Sequence, residues 1–166
     1  MSILQGLQNT ENLKPKHTIS DSFTFNKGRE SLGNLILQDM KTTGGTDVDW
    51  LIEHRGGFIV LELKEFTGDH IGIPIGQMIA FEKLHERLSS GGKCVFLIVG
   101  SDNIDFKNPD STIRIIDMND WKENGIPCEK NSDQKRYIIQ RKHMHEISLR
   151  EFRSKIEFHW NEFESM

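Results

Sequence analysis

The feature that most constrains this chain is a strand too apolar for a surface that nevertheless ends in two charges. Phe58–Lys64, FIVLELK, is rich in β-branched and large apolar residues, and it closes on Glu62 and Lys64. A strand of that composition belongs in the middle of a sheet. A carboxylate and an amine placed there are costly unless a partner, a metal or a function holds them. Upstream, Thr46–His54 alternates at period two, with Val48, Trp50 and Ile52 on one face and Asp47, Asp49 and Glu53 on the other. Arg55-Gly56-Gly57 between the two runs is turn chemistry, so the pair reads as a β-hairpin.

Register decides what faces what. A Gly56-Gly57 loop sets Asp49 opposite Lys64, and a His54–Gly57 loop sets Asp49 opposite Glu62. In both, Asp49, Glu62 and Lys64 share a face, because side chains repeat every second residue. Cross-strand neighbours lie about 5 Å apart at Cβ, close enough for two carboxylates to repel. A divalent cation between them resolves that repulsion, and hard oxygen ligands suit Mg²⁺ or Mn²⁺. A lysine beside them can orient or deprotonate a water, or stabilise charge developing on a phosphate.

Asp49, twelve intervening residues and then Glu62-Leu63-Lys64 resembles the motif of the PD-(D/E)XK nuclease superfamily, with the spacing of archaeal Holliday-junction resolvases and related endonucleases. Val48 stands where the motif's proline would be. The resemblance implies an α/β fold with a restriction-endonuclease-like core, a central mixed β-sheet flanked by helices. It implies a metal site of Asp49, Glu62 and the Leu63 carbonyl, and Lys64 as the group acting on water. Gly76-Gln77, near the start of the next helix, resembles the Gly-Gln of many members, which puts Gln77 near the active site. Glu30, in the first turn of an earlier helix, matches the extra acidic residue that some members bring to the metal. Read from its residues alone, Glu30 is a helix-dipole carboxylate and Gln77 an ordinary polar helix residue.

The remaining elements follow from periodicity. Residues 1–20 form a polar lead-in with Pro15. Leu32, Leu35, Ile36 and Met40 set a helix over Arg29–Met40. Glu65–His70 is a loop, and a helix runs from about Pro74 to Ser89. Lys93–Gly100, KCVFLIVG, is a second buried strand, and the helix before it implies a crossover and parallel pairing with Phe58–Lys64. The core's short third antiparallel strand is either Thr18–Phe25 or Ile113–Asp117. Beyond Gly100 the resemblance fades, and 101–166 reads as an extension of the core. Thr112–Met118 is a short strand, a helical turn begins at Asp120-Trp121-Lys122, and Tyr137–Gln140 is a strand or edge. Ser148 caps a last helix to about Phe163, with Glu151 at the capping-box position and Phe152, Ile156, His159 and Phe163 as its inner stripe.

At 166 residues the chain fits one domain. No run approaches a membrane span, and the N-terminus has no basic then apolar leader pattern. Cys94 and Cys128 are too few for a disulfide framework, which points to an intracellular home. A net charge of −4 argues mildly against a nonspecific nucleic-acid coat. Yet Lys130–Lys155 carries about +5, leaving about −9 elsewhere. Lys135, Arg136, Arg141 and Lys142 in that segment are candidate phosphate contacts on DNA, or else a solvated face. His143-x-His145 could share a strand face, but no third ligand stands at a familiar metal spacing. Asp47 could assist Asp49, and His70 could contact DNA or act as an acid. The expectation is a Mg²⁺-dependent DNA endonuclease. The alternatives are a catalytically altered nuclease fold that binds nucleic acid or protein, and an unrelated α/β interaction domain. The last helix could pack on a second protomer in a homodimer.

Overall fold

The hairpin forms around a two-residue turn. Trp50–His54 (β1) pairs antiparallel with Gly57–Glu65 (β2), from Trp50 opposite Leu61 to His54 opposite Gly57. Arg55 and Gly56 make the turn, both with positive φ, 49° and 81°, as a hairpin turn that matches strand twist requires. Glu53 Oε1 accepts a 2.8 Å hydrogen bond from the Gly56 amide and steadies the turn. Pairing ends at Trp50 opposite Leu61, one step short of Asp49 and Glu62. A computed structural model describes residues 27, 31, 32, 35, 46–102, 104–120, 125 and 128–166. The chain divides at Thr46, and the fold set out here is that of Asp47–Met166.

After β2 the chain forms His70–Pro74 (β3), Ile75–Ser90 (α1), Cys94–Ser101 (β4), Thr112–Asp117 (β5), Cys128–Asn131 (β6), Arg136–Gln140 (β7), His145–Ser148 (β8) and Leu149–Glu164 (α2). The main sheet has the order β1-β2-β4-β5-β8, and a smaller sheet has the order β3-β7-β6. The crossover through α1 makes β2 and β4 parallel, Phe58 opposite Cys94 through Glu65 opposite Ser101. The other pairings are antiparallel, so the fold is α/β with a mixed main sheet.

Two apolar clusters cover the two faces of that sheet. Val60, Cys94, Phe96, Ile98 and Ile116 pack with Met78 and Phe81 of α1 and with Ile71, Ile73 and Ile139 of the small sheet. Ile59, Val95, Leu97, Val99 and Ile113 pack on the other face with Phe152, Ile156 and Phe163 of α2. Alternate residues of β4 enter opposite clusters, which is why its sequence is one unbroken apolar run. Gly57 lets α2 close on the sheet: a Cβ there would lie 2.6 Å from both Cδ1 and Cδ2 of Phe163.

Several expectations need correction. The strand starts at Trp50, not Thr46, and the alternation does not run through: Val48 packs on the α1 side while Ile52 packs on the α2 side. Glu65–His70 is not all loop, since β2 extends through Glu65 and β3 begins at His70. Residues 101–166 supply β5, β8 and α2 to the main sheet and its cover. Ile113–Asp117 lies within β5, antiparallel to β4. Beyond Met118-Asn119-Asp120, which is helical, the turn expected at Trp121-Lys122 lies outside the described residues, as do Thr18–Phe25, the lead-in and most of Arg29–Met40. The α2 boundaries and cap agree with expectation. Ser148 and Glu151 form a reciprocal capping box, Ser148 Oγ accepting from the Glu151 amide and Glu151 Oε2 from the Ser148 amide.

Candidate active site

Glu62 is 3% exposed on the α1 side of β2. Its Oε1 accepts from Lys64 Nζ at 2.7 Å and from Gln77 Nε2 at 3.1 Å. Lys64 Nζ also donates to Gln77 Oε1 at 3.0 Å, closing a three-residue ring between strand and helix. Two strand positions and the first turn of α1 meet because β3 returns the chain to the Glu62–Lys64 end of β2. The start of α1 has no side-chain cap, and the Lys135 carbonyl in the β6–β7 turn accepts from the Ile75 amide at 3.0 Å. That hydrogen bond holds the helix end, and with it Gln77, against the small sheet.

Asp49 lies just beyond the β1 ladder and is exposed. Its Oδ2 accepts the Leu63 amide at 2.7 Å, so a carboxylate takes over where strand pairing stops. Asp47 is exposed.

Among the described residues, two oxygens are uncommitted. Glu62 Oε2 is buried and has no hydrogen-bond partner, and Asp49 uses only Oδ2 on Leu63. Burial pushes the Glu62 carboxyl above the usual glutamate range. The hydrogen bond and charge of Lys64 pull it down, the Asp49 charge raises it and the Asp49 amide lowers it, leaving it raised. A buried carboxylate oxygen without a donor, beside a second carboxylate, suits a hard cation. Among the described residues no three His, Cys, Asp or Glu side chains close on one point. A cation here would therefore take carbonyl and solvent oxygens as well, the habit of Mg²⁺. Glu30 lies outside the described residues.

The basic segment divides into tied and untied cations. Arg141 forms a bidentate pair with Asp102 at 2.7 and 3.1 Å, donates to the Gly68 carbonyl at 3.2 Å, and lies 3.9 Å over the Phe66 ring. It holds the Asp102 carboxyl below the usual range and clamps the β2–β3 turn to the end of β4. Arg150 pairs with Asp110 and Lys155 with Asp117. Arg136 is exposed and donates to the Gly72 carbonyl. Lys135 and Lys142 are exposed and form no ion pair among the described residues. His143 and His145 do not share a strand face: His143 closes a 3₁₀ turn and His145 opens β8. His70 is partly buried as the first residue of β3.

Sequence reasoning missed two arrangements. One is the Arg141 clamp, whose Asp102 and Phe66 partners lie far away in the chain and leave no local signal. The other joins the hairpin turn to the end of α2. His54 stacks on Trp160 with centroids 3.9 Å apart, and His54 Nε2 lies 2.8 Å from Glu164. Among the described residues no helix is long and apolar enough to cross a membrane. No protein-family model matches this chain, and no curated protein matches it at a significant level, so its function is argued from the site alone.

Proposed function

We propose that this chain is a metal-dependent endonuclease that hydrolyses phosphodiester bonds in DNA, built on a restriction-endonuclease-like core of the PD-(D/E)XK kind. One observation carries the reading: the buried Glu62 carboxylate keeps one oxygen without a partner while Asp49, Lys64 and Gln77 gather around it. Glu62, Asp49 and the Leu63 carbonyl would hold Mg²⁺ or Mn²⁺. When bound, the cation supplies Lewis-acid polarisation of the phosphate and a more acidic water.

The chain's own residues do the rest. Gln77 bridges Glu62 and Lys64 and fixes both rotamers, so neither needs to reorganise during reaction. Two of the three ammonium hydrogens of Lys64 are engaged, by Glu62 and Gln77. The third is left for a water or a phosphate oxygen. In this geometry Lys64 acts as a donor that orients water and stabilises developing negative charge. Asp49 is pinned by the Leu63 amide, so its position is set by the sheet rather than by a flexible loop.

The test has two stages. Calorimetry with Mn²⁺ should show binding by the wild type and its loss in Asp49→Ala and Glu62→Ala, both still folded. Incubation with plasmid, single-stranded and branched DNA in Mg²⁺ or Mn²⁺ should then show cleavage that either substitution abolishes. Unchanged Mn²⁺ affinity in both variants would overturn the metal site, and metal binding without cleavage of any DNA would leave a binding module.

A further inference from the structure

The face of β2 opposite Glu62 and Lys64 carries a second feature. Along it, exposure rises from fully buried Ile59 to Leu63 at 44%. Phe163, near the end of α2, closes on Gly57, while Leu149 and Phe152 at the start of α2 reach the Leu63 end. A cavity of about 600 Å³ lies there, floored by Leu61, Leu63 and Phe152. Trp50 and Phe106 line it as well, 65% and 63% exposed. Asp49 and Glu65 are its charged members, and among the described residues no basic side chain lines it.

From this cavity we infer a nucleobase pocket, and therefore a substrate with an unpaired nucleotide at the cleavage position rather than continuous duplex. The inference rests on the nuclease reading above. An apolar cavity with exposed aromatics and carboxylate acceptors excludes a phosphate and accepts a flat, uncharged ring bearing amino groups. Bases stack on aromatic side chains with little sequence preference, and Asp or Glu accepts from exocyclic amines. Position links the cavity to the carboxylate site. Asp49 and Leu63 belong to both, and β1 pairing ends at Trp50 opposite Leu61 while β2 runs on to Glu65. Beyond that pair β1 no longer covers the edge of β2. A single strand can pass over it with a phosphate on the Glu62–Lys64 side and the neighbouring base on the Trp50 side. A stacked, paired base cannot do this without leaving the helix, which costs energy that an unpaired nucleotide does not spend.

The experiment uses the full chain, a single-stranded oligodeoxynucleotide carrying 2-aminopurine, and a blunt duplex of the same length, in Ca²⁺. The single strand should bind the wild type at least tenfold more tightly than the duplex, with a change in 2-aminopurine emission. Trp50→Ala and Phe106→Ala, both exposed positions, should each weaken single-strand binding about tenfold, the scale of one lost stacking contact. Both should remove the emission change, keep the wild-type melting profile and leave Mn²⁺ affinity unaltered. Equal affinity for the two DNAs, or unaltered single-strand affinity in both variants, overturns the pocket. So does a Trp50→Ala protein that changes only its sedimentation, which would make this face a contact between copies. Failure of the wild type to bind Mn²⁺ while the base still stacks would sink the nuclease reading and leave the pocket standing.

Discussion

Replacing Glu62 with Gln should make the cation-free protein more stable, and cation should reverse the order. Glu62 is 3% exposed with Oε2 unpartnered, and burial raises its pKa despite the hydrogen bond and charge of Lys64. The folded state therefore disfavours the ionised form, with the Lys64 pair already included. A glutamine keeps the shape and the acceptor for Lys64 and Gln77 while removing the charge. The amide nitrogen that replaces Oε2 is itself left without a partner, so the gain comes from removing the buried charge alone, and a net gain of about 1 kcal/mol allows for the weaker Lys64 contact. For a chain of this size that raises Tm by roughly 2–4 °C. The sign with pH follows from the raised carboxyl. The two proteins should match below the ordinary glutamate value of 4.5. The gap should open as pH rises through the elevated folded value, where the wild type must ionise a buried group. Asp102, Glu151 and Glu162 titrate the other way: Arg141, Ser148 and Lys93 respectively hold them low, so their stability is lost on acidification. They are common to both proteins and cancel in the difference. With Mn²⁺ at a hundred times its Kd the wild type should gain about 2.7 kcal/mol, roughly 5–10 °C, and overtake a variant that has lost its ligand. Thermal melts in EDTA and in Mn²⁺ across pH 4–8 read all of this. A Glu62→Gln protein less stable than wild type in EDTA at pH 7 would refute the reasoning, because the Lys64 pair would then outweigh burial. Equal Mn²⁺ shifts in both would place the cation elsewhere.

Lys64→Met keeps much of the apolar stem and removes the donor; it should bind DNA within a few-fold of wild type and cleave at least about a hundredfold more slowly in saturating Mg²⁺, by single-turnover assay. A near wild-type rate rules out the role assigned to Lys64. Lys135→Gln with Lys142→Gln removes two exposed lysines of the basic segment that form no ion pair among the described residues and should reduce the slope of log affinity against log salt by about 1.4–1.8; an unchanged slope puts both outside the interface. Gly57→Ala forces a Cβ into the Phe163 ring and should cost about 1–3 kcal/mol in urea unfolding, and an unaltered midpoint would mean that α2 moves away freely.

Period and turn chemistry were enough to recover the local elements from sequence. The β1–β2 hairpin, the buried β4 run, the helical crossover and the Ser148–Glu151 cap are each encoded by residues close together in the chain. The grouping of Asp49 with Glu62 was legible for the same reason, once one of two turn lengths was chosen. Tertiary structure chose the register: its Arg55-Gly56 turn is neither loop considered, yet it pairs Trp50 with Leu61 as a His54–Gly57 loop would, one step short of Asp49 and Glu62. It alone decided that Gln77 bridges Glu62 and Lys64, because that contact depends on how β3 and the Lys135 turn seat the start of α1. It alone tied Arg141 to Asp102 and Phe66, which composition had counted as open charge. The small sheet was hidden because His70–Pro74 and Cys128–Asn131 are only five and four residues long, so their pairing with β7 comes from the partner strand. Periodicity reports which side of an element is apolar. Which elements meet, and which polar atom is left without a partner, is set by contacts between residues far apart in the chain.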